Sequence, residues 1–358
     1  MATPDYIDTL YPDALRVLKA LIETPSLSGE EEGTAAIISS FLQEKGIAFQ
    51  RQGHNIWAKN DLFDSTKPTI LLNSHHDTVK PNKGYTNDPF QAEIRDDKLY
   101  GLGSNDAGGC LVALMMTFLH FYPKDIPYNL IFAGTAEEEN SGVHGVESIL
   151  STVKPIDFAM VGEPTEMQMA VAEKGLMVLD CTARGKSGHA AREVGENAIY
   201  RALEDISWFR NYAFDKVSSY VGPVKMTVTM VNAGYQHNVI PDQCTFVVDI
   251  RTTDMYSNRE VFEIIRENVK SEVVPRSFRL NSSQLPETMP ISQAADRLGI
   301  EKFGSPTCSD QAVMDFPSFK MGPGKSERSH TPDEFIYLAE LKEGITGYIT
   351  LLEELFSE

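Results

Sequence analysis

The feature that most constrains the fold of this chain is an alternation of short apolar runs with a longer apolar segment in its first half. Residues 69–72 and 129–132 have the length of buried strands, and residues 111–121 between them have the length and apolar character of a buried helix. Residues 158–161 form another apolar run of strand length. Strands that alternate with helices favour an α/β layer fold in which at least part of the sheet is parallel.

Helix signals lie on both sides of this α/β core. Apolar residues recur at three- and four-residue steps from Leu15, which predicts a helix that stops at Pro25. Ser28 followed by Glu31 has the pattern of a capping box, which predicts that a second helix opens there and closes at Gly46. A last helix is predicted at residues 338–356.

The pattern changes after about residue 172. Strands and helices are then predicted in the order β-α-β-β-α-β, at residues 176–179, 197–209, 224–231, 245–250, 258–269 and 276–280. This order is the ferredoxin-like arrangement of a small α+β domain. We therefore predict that residues 1–172 and 283–358 form a large domain and that residues 173–282 form a smaller domain inserted into it.

Composition excludes several classes of protein. The 358 residues suggest two domains, and the 42% of hydrophobic residues exclude an intrinsically disordered chain. The 51 acidic and 32 basic residues give a net charge of −19, so the chain would repel nucleic acid and anionic lipid surfaces.

The N-terminus and the cysteines indicate a cytoplasmic protein. The segment MATPDYIDTLYPD has acidic residues where a signal peptide needs positive charge, and the longest apolar stretch, residues 111–122, is too short to span a membrane. The cysteines have no CxxC spacing, which is typical of reduced thiols rather than of a disulfide framework. They are Cys110, Cys181, Cys244 and Cys308.

Acidic residues and histidines follow the predicted strands, where α/β folds bind ligands. They occupy segments 73–78 (NSHHDT), 101–109 (GLGSNDAGG), 134–140 (GTAEEEN), 161–165 (VGEPT) and 322–334 (GPGKSERSHTPDE). Each segment alone has an ordinary interpretation, as a turn histidine, a helix-capping carboxylate or a solvated acidic loop. Together, imidazole and carboxylate donors without thiolates suit an open, hydrolytic zinc site, and a mixed carboxylate set can bridge two ions.

These five segments, in this order, resemble the dinuclear zinc aminoacylase and carboxypeptidase family, and within it the acetylornithine deacetylase and succinyl-diaminopimelate desuccinylase group. The resemblance covers essentially the whole chain. It implies a zinc-peptidase-like catalytic domain with a mixed sheet flanked by helices. It also implies that the inserted ferredoxin-like domain serves for dimerisation and as a lid, so that the protein would be a homodimer.

The resemblance also implies the ligands of two divalent ions, Zn²⁺ or alternatively Co²⁺. One ion would be bound by His75 and Glu163, the other by Glu139 and His330, and Asp106 would bridge the two. The resemblance further implies that Asp77 orients His75.

The same resemblance implies that Glu138 is the general base, which takes a proton from water as the water attacks the amide carbonyl and later delivers it to the departing amine. The family more often has Asp-Glu-Glu where this chain has Glu137-Glu138-Glu139. Because the change lies outside the two functional positions, we expect activity to survive it.

Further residues are implied to contact the substrate. His189, in the loop GKSGHAA, would bind the substrate carbonyl from the other subunit, with an exposed loop histidine as the alternative. Arg251 and Asn238 would bind a substrate carboxylate, with a structural salt bridge as the alternative for Arg251. Gly324 would allow close backbone approach near His330, and Lys325 or Arg328 could contact a succinyl group.

The leading hypothesis for the substrate is N-acetylornithine, or the analogues N-acetylcitrulline and N-succinylornithine, in arginine biosynthesis. The alternatives are desuccinylation of succinyl-diaminopimelate, a dipeptidase of the same fold, and a metal-free binding protein that has lost catalysis. No nucleic-acid or membrane partner is expected.

Overall fold

The structure is a computed structural model that describes residues 5–192 and 194–357. The first four residues, on which the expectation of no signal peptide partly rests, lie outside the described chain. The α-helices are α1 (Asp5–Ile22), α2 (Glu32–Glu44), α3 (Gly109–Phe121), α4 (Val146–Val153), α5 (Ala198–Asn211), α6 (Asn258–Asn268), α7 (Pro290–Arg297) and α8 (Leu338–Phe356).

The strands alternate with these helices through the chain. They are β1 (Phe49–Gln52), β2 (Asn55–Lys59), β3 (Thr69–His75), β4 (Glu93–Arg95), β5 (Lys98–Tyr100), β6 (Asn129–Thr135), β7 (Phe158–Gly162), β8 (Met169–Glu173), β9 (Gly175–Arg184), β10 (Gly188–His189), β11 (Lys225–Ala233), β12 (Val239–Ile240), β13 (Gln243–Thr252), β14 (Glu272–Pro275), β15 (Ser283–Gln284), β16 (Lys302–Ser305), β17 (Ser318–Met321) and β18 (Phe335–Tyr337).

The chain divides into two compact units, which we describe separately. The first unit combines the chain up to Val171 with Leu285–Phe303 and the chain from Ser309 onwards. The second unit consists of Ala172–Gln284 and Gly304–Cys308.

The first unit is built on a mixed sheet in which strands neighbour one another in the order β1-β2-β6-β3-β7-β17-β8. The four central strands β6, β3, β7 and β17 are parallel, whereas β2 and β8 join this group in antiparallel pairs. The predicted α/β fold with a mixed sheet flanked by helices is therefore confirmed. Because the four central strands are parallel, their carboxyl ends meet at one edge of the sheet.

Helix α3 lies between the sheet and the outer helices. Its residues are buried almost all round, as its predominantly apolar sequence predicts, and it contacts β3 and β6 as well as α1 and α8. On the other face of the sheet, Leu71, Ile131 and Val161 pack against Ile149 of α4. None of the helices in the described part of the chain is long and apolar enough to cross a bilayer.

The capping box predicted for Ser28 and Glu31 is wrong. Helix α2 begins at Glu32, and the N-cap residue Glu31 makes no side-chain capping bond. The Ser28 hydroxyl instead donates to Asp77 (2.7 Å), which lies after β3. The Ser28 hydroxyl therefore donates to a remote carboxylate and does not accept the local backbone N–H group that a capping box requires.

The second unit has its main strands and helices in the predicted order β-α-β-β-α-β. Its antiparallel sheet runs β11-β13-β9-β14, and α5 and α6 supply Phe209 and Val261 to the core beneath it. The last strand was predicted at residues 276–280, which is wrong, because pairing with β9 ends at Pro275. Phe278 lies in a segment without regular secondary structure and packs against this core.

Burial of His120 in α3 predicts a loss of stability at acid pH. Burial, helped by the charge of Lys124, lowers the pKa of His120 from 6.5 to about 4, and its ring packs on those of Tyr6 and Phe121. As the pH falls from 6.5 towards 4, His120 takes up a proton in the unfolded chain but not in the folded chain, so the free energy of unfolding falls. Because solvent screens this half-buried group and reduces the effect, we expect His120→Gln to lower the difference in free energy of unfolding between pH 7 and pH 5 by about 1 kcal/mol.

Urea unfolding at the two pH values measures this difference, with exposed His237→Gln as the control. An unchanged difference in the His120 variant would contradict the assignment.

Candidate active site

The candidate site lies at the edge of the first unit's sheet where its parallel strands end. His75 is the last residue of β3, residues 137–139 follow β6, and Glu163 follows β7. His330 lies in the segment after β17, and Asp106 lies in the turn Ser104–Gly108 that leads into α3. The topology therefore delivers five separate stretches of sequence to one place.

His75 is the centre of the first group of donors. The Nδ1–H group of this buried imidazole donates to the carbonyl oxygen of Asp77 (3.1 Å), so Nε2 is the nitrogen available for a ligand. This Nε2 atom lies 3.4 Å from Asp106 Oδ1, 3.8 Å from Glu163 Oε1 and 4.0 Å from Glu138 Oε2.

A second group of donors forms around Glu139 and His330. The Nε2 atom of His330 lies 2.9 Å from Glu139 Oε2 and 3.5 Å from Asp106 Oδ2. Asp106 therefore presents one oxygen to each histidine. Asp106 therefore lies between the two groups of donors.

The donor set fits divalent cations. His75, Asp106 and Glu139 place ligand atoms within 4.8 Å of one another, and so do His75, Glu138 and Glu163. The Oε1 atom of Glu163 is buried and has no hydrogen-bond partner within the described chain. Imidazole and carboxylate donors without thiolates suit ions such as Zn²⁺.

The raised pKa values of two carboxyl groups in the site also favour the binding of cations. Burial, together with the charges of Glu163, Asp310 and Glu139, raises the pKa of Glu138 well above its usual range, although His75 lowers it. Burial and the charge of Asp106 raise the pKa of Glu163 to about 8, against the opposing effect of His75. Carboxylates packed this closely need protons or cations to neutralise them.

A model of peptidase family M20/M25/M40 matches residues 71–354, a range that contains all of these donors. The chain belongs to this family. The resemblance stated above is thereby confirmed, and with it an enzyme class that hydrolyses amide bonds with two metal ions.

Curated relatives carry two different names at similar identity. An acetylornithine deacetylase of Proteus mirabilis is 26% identical over 92% of this chain and 93% of the relative. A succinyl-diaminopimelate desuccinylase of Wolbachia pipientis is also 26% identical, over 76% of this chain and 73% of the relative. At this identity the names agree on the family and differ on the substrate.

Solved structures share the fold over nearly the whole chain. Aminopeptidase PepT of Bacillus cereus matches with a TM-score of 0.77 at 17% identity, over 96% of this chain and 98% of the other. A dinuclear metal-binding M20 peptidase of Bacillus subtilis matches with a TM-score of 0.73 at 18% identity, over 98% and 99%. At these identities the comparison shows the fold alone.

In this M20 enzyme, Asp77 does more than contact His75. Its Oδ1 lies 3.4 Å from His75 Nδ1, and its two oxygens accept the backbone N–H groups of Glu138 (3.0 Å) and Glu139 (3.1 Å). Although burial raises it, the bonds to His75 and Ser28 hold the pKa of Asp77 below its usual value. One buried carboxylate thus connects the histidine after β3 to the acidic turn after β6.

Glu334 ends the segment 322–334 and is a site residue for which the sequence pattern predicts no role. It is buried, and its carboxylate accepts the backbone N–H groups of Gly103 (3.2 Å), Asn105 (2.8 Å) and Asp106 (2.9 Å). Burial and the charge of Asp106 raise the pKa of Glu334 to about 8. The only sequence feature that could have indicated this role is the acidic side chain of Glu334 in a loop motif that otherwise looks solvent-exposed.

The glycine-rich loop after β17 contacts the turn that carries Asp106. Gly324 has a φ of +90°, and a Cβ there would collide with Asn105 Oδ1. That same oxygen accepts the Lys325 N–H at 3.0 Å, so the close approach expected of Gly324 is made to Asn105. The Lys325 side chain is 44% exposed and pairs with Glu166 at 2.5 Å.

Arg328 is committed to structural contacts. Its guanidinium makes a bidentate pair with Glu340 (2.7 and 2.9 Å) and lies over the rings of Phe335 and Tyr337. Of the two cations considered for a succinyl group, Lys325 is the more accessible one, because the Arg328 side chain is only 13% exposed.

His189, Asn238 and Arg251 belong to the second unit. His189 pairs with Val239 in the antiparallel pair β10–β12, and Asn238 is the residue directly before Val239. The Oδ1 atom of Asn238 is buried without a hydrogen-bond partner among the described residues. Arg251 makes a bidentate pair with Asp249 of the same strand (2.9 and 3.1 Å).

Proposed function

We propose that this M20 enzyme is an N-acyl-amino-acid deacylase that acts on N-acetylornithine or its analogues N-acetylcitrulline and N-succinylornithine, as in arginine biosynthesis. The observation that carries the proposal is the convergence of His75, Asp106, Glu139, Glu163 and His330 beside Glu138 at the carboxyl ends of the parallel strands. The acetylornithine deacetylase relative, which aligns over 92% of this chain, supports the choice of substrate.

We propose that His75 and Glu163 hold one ion, Glu139 and His330 the other, and that Asp106 bridges them. The ions would be Zn²⁺, with Co²⁺ as the alternative. When bound, such cations lower the pKa of water and polarise an amide carbonyl.

Glu138 is proposed to move the proton. Its carboxylate lies beside the His75 group without belonging to the five proposed ligands, so it can accept a proton from the attacking water. The carboxyl group then delivers that proton to the departing amine. Asp77 holds the backbone on either side of the Glu138 Cα and thereby orients the base.

We propose that His189 donates a hydrogen bond to the substrate carbonyl oxygen. Its Nδ1 accepts the Ala191 N–H at 3.1 Å, so the neutral imidazole carries its proton on Nε2 and can donate from there. For Asn238, Arg251, Gly324 and Lys325 we propose contacts with the rest of the substrate. Release of Arg251 from Asp249 would be required for it to bind a carboxylate.

We also propose a homodimer formed through the second unit. Strand β11 is at the edge of its sheet, and Met230 and Val231 on it are 55% and 53% exposed. Helix α5, which contacts β11, exposes Tyr200 (69%) and Leu203 (53%). An exposed edge strand beside apolar side chains favours pairing with another chain.

His189→Ala is expected to lower kcat by about 10²- to 10³-fold, the effect of removing one oxyanion donor. If His189 acts across the dimer, mixed dimers of His189→Ala and Glu138→Gln subunits will regain activity, because one site then has both the base and the partner's histidine. Co-expression with two affinity tags isolates the mixed dimers for assay, and each parent dimer is the control. Inactive mixed dimers would contradict action across subunits.

A substrate panel tests the proposed function. The metal-loaded enzyme is assayed with N-acetylornithine, N-acetylcitrulline, N-succinylornithine, succinyl-diaminopimelate and dipeptides, and kcat/KM is compared. We expect the highest value among the first three. The second candidate is succinyl-diaminopimelate desuccinylase, which the Wolbachia relative favours, and a highest kcat/KM for that substrate would replace our proposal. A highest value for dipeptides would also overturn it.

A further inference from the structure

The acidic turn that carries Glu138 has an unusual backbone. Glu137 has a φ of +57°, a left-handed conformation that costs a non-glycine residue free energy unless its surroundings hold it. The turn is closed by the Gly142 N–H, which donates to the Glu137 carbonyl at 2.8 Å, and by the Ser141 N–H, which donates to the Glu138 carbonyl at 2.8 Å. The direction of the Glu138 side chain therefore depends on the contacts that keep Glu137 in this backbone conformation.

Glu31 is the side chain that holds the N–H group of Glu137. This glutamate is fully buried, and its Oε1 accepts the N–H groups of Gly29 (2.6 Å) and Glu137 (3.2 Å). A buried carboxylate is tolerated only when hydrogen bonds or charges satisfy it, so these contacts fix Glu31 in one position. Together, Glu31 and Asp77 accept the three consecutive N–H groups of residues 137–139.

His54 completes the surroundings of Glu31. Its Nδ1 lies 2.6 Å from Glu31 Oε2, and its carbonyl oxygen accepts the His76 Nε2–H at 3.0 Å. The His76 ring also contacts the Thr34 hydroxyl at 2.9 Å. The start of α2 is thereby connected to both the histidine segment after β3 and the acidic turn after β6.

We propose that Glu31 is a positioning residue for the general base, acting through the Glu137 N–H, and that His54 keeps the Glu31 carboxylate in place. The proposal rests on the proposed function, in which Glu138 is the base. Displacement of a catalytic group by about 1 Å can cost about 10²-fold in rate. Loss of the Glu31 acceptor therefore acts on the chemical step, because the proposed metal ligands and substrate contacts remain.

The experiment compares Glu31→Ala with Glu31→Gln in the metal-loaded enzyme, using the best substrate of the panel. Glutamine keeps an oxygen that can accept the Glu137 N–H, whereas alanine removes it. We expect Glu31→Ala to lower kcat by about 30- to 100-fold with KM within about threefold, and Glu31→Gln to stay within about threefold of wild type. Rates are divided by the concentration of folded, metal-bound protein, so that a loss of stability alone does not count.

Two further variants keep the test decisive. Glu30→Ala changes the neighbouring exposed glutamate and should leave kcat unchanged. If Glu31→Ala does not fold, His54→Ala replaces it, since His54 is 28% exposed and supplies only the outer contact of Glu31; we expect a fall of about 5- to 10-fold in kcat at constant KM.

The outcomes separate the two proposals. Wild-type kcat in both Glu31→Ala and His54→Ala, or an equal loss in Glu31→Ala and Glu31→Gln, would overturn the positioning role. A wild-type enzyme that hydrolyses none of the panel would instead overturn the proposed function. A loss confined to metal content or to KM would show that Glu31 supports the ligands or the substrate and would also overturn the proposal.

Discussion

Replacing Glu138 with glutamine is expected to lower kcat by about 10³- to 10⁴-fold, near the upper end of what general-base catalysis contributes. The amide has the shape of the carboxylate but cannot accept the proton from water. Since Glu138 is not among the five proposed ligands, the variant should bind the same amount of metal as wild type. Turnover with the best substrate and elemental analysis of the purified protein measure the two quantities.

Glu137→Gln is the matched control, because it makes the same change one residue earlier. The Glu137 side chain accepts the His144 N–H (3.2 Å) through an oxygen that glutamine can keep. Turnover of Glu138→Gln within about tenfold of wild type would remove Glu138 from the mechanism.

Replacing Asp106 with alanine is expected to remove both metal ions and with them all measurable turnover. Asp106 lies between the two histidines, 3.4 Å from His75 Nε2 and 3.5 Å from His330 Nε2, so its loss affects both groups of donors. Without this carboxylate, each group loses a charged ligand. Elemental analysis and kcat, measured after incubation with excess Zn²⁺, are the readouts.

Together these two variants distinguish a base from a ligand. Asp106→Ala should lose metal and activity in parallel, whereas Glu138→Gln should lose activity alone. Asp97→Ala, which changes an exposed aspartate outside the site, is the control for metal content. Wild-type metal content in Asp106→Ala would contradict the bridging role.

The parts of the fold that a local pattern specifies were predicted well. Helix α8 has the predicted bounds, and β3, β6 and β7 begin at the predicted residues, because an apolar run of the right length has few other ways to be buried. The residues after those strands lie together in the candidate site, because parallel strands bring their carboxyl ends together.

The residues that support the site were not predictable in this way. Ser28 and Glu31 have the spacing of a capping box, yet their partners are Asp77 and the N–H group of Glu137, more than a hundred residues along the chain from Glu31. Glu334 likewise accepts backbone N–H groups from the turn at Asp106. A hydrogen bond to a remote backbone group leaves no mark in the sequence around either partner.

The second unit interrupts the sequence of the first between Glu163 and His330. During translation, four of the proposed ligands are therefore synthesised before the second unit, and the fifth only after it. A nascent chain that stops anywhere in the second unit has the Glu139 carboxylate but lacks the imidazole that lies 2.9 Å from it. The centre proposed here is thus completed only once the segment that follows the second unit has been synthesised.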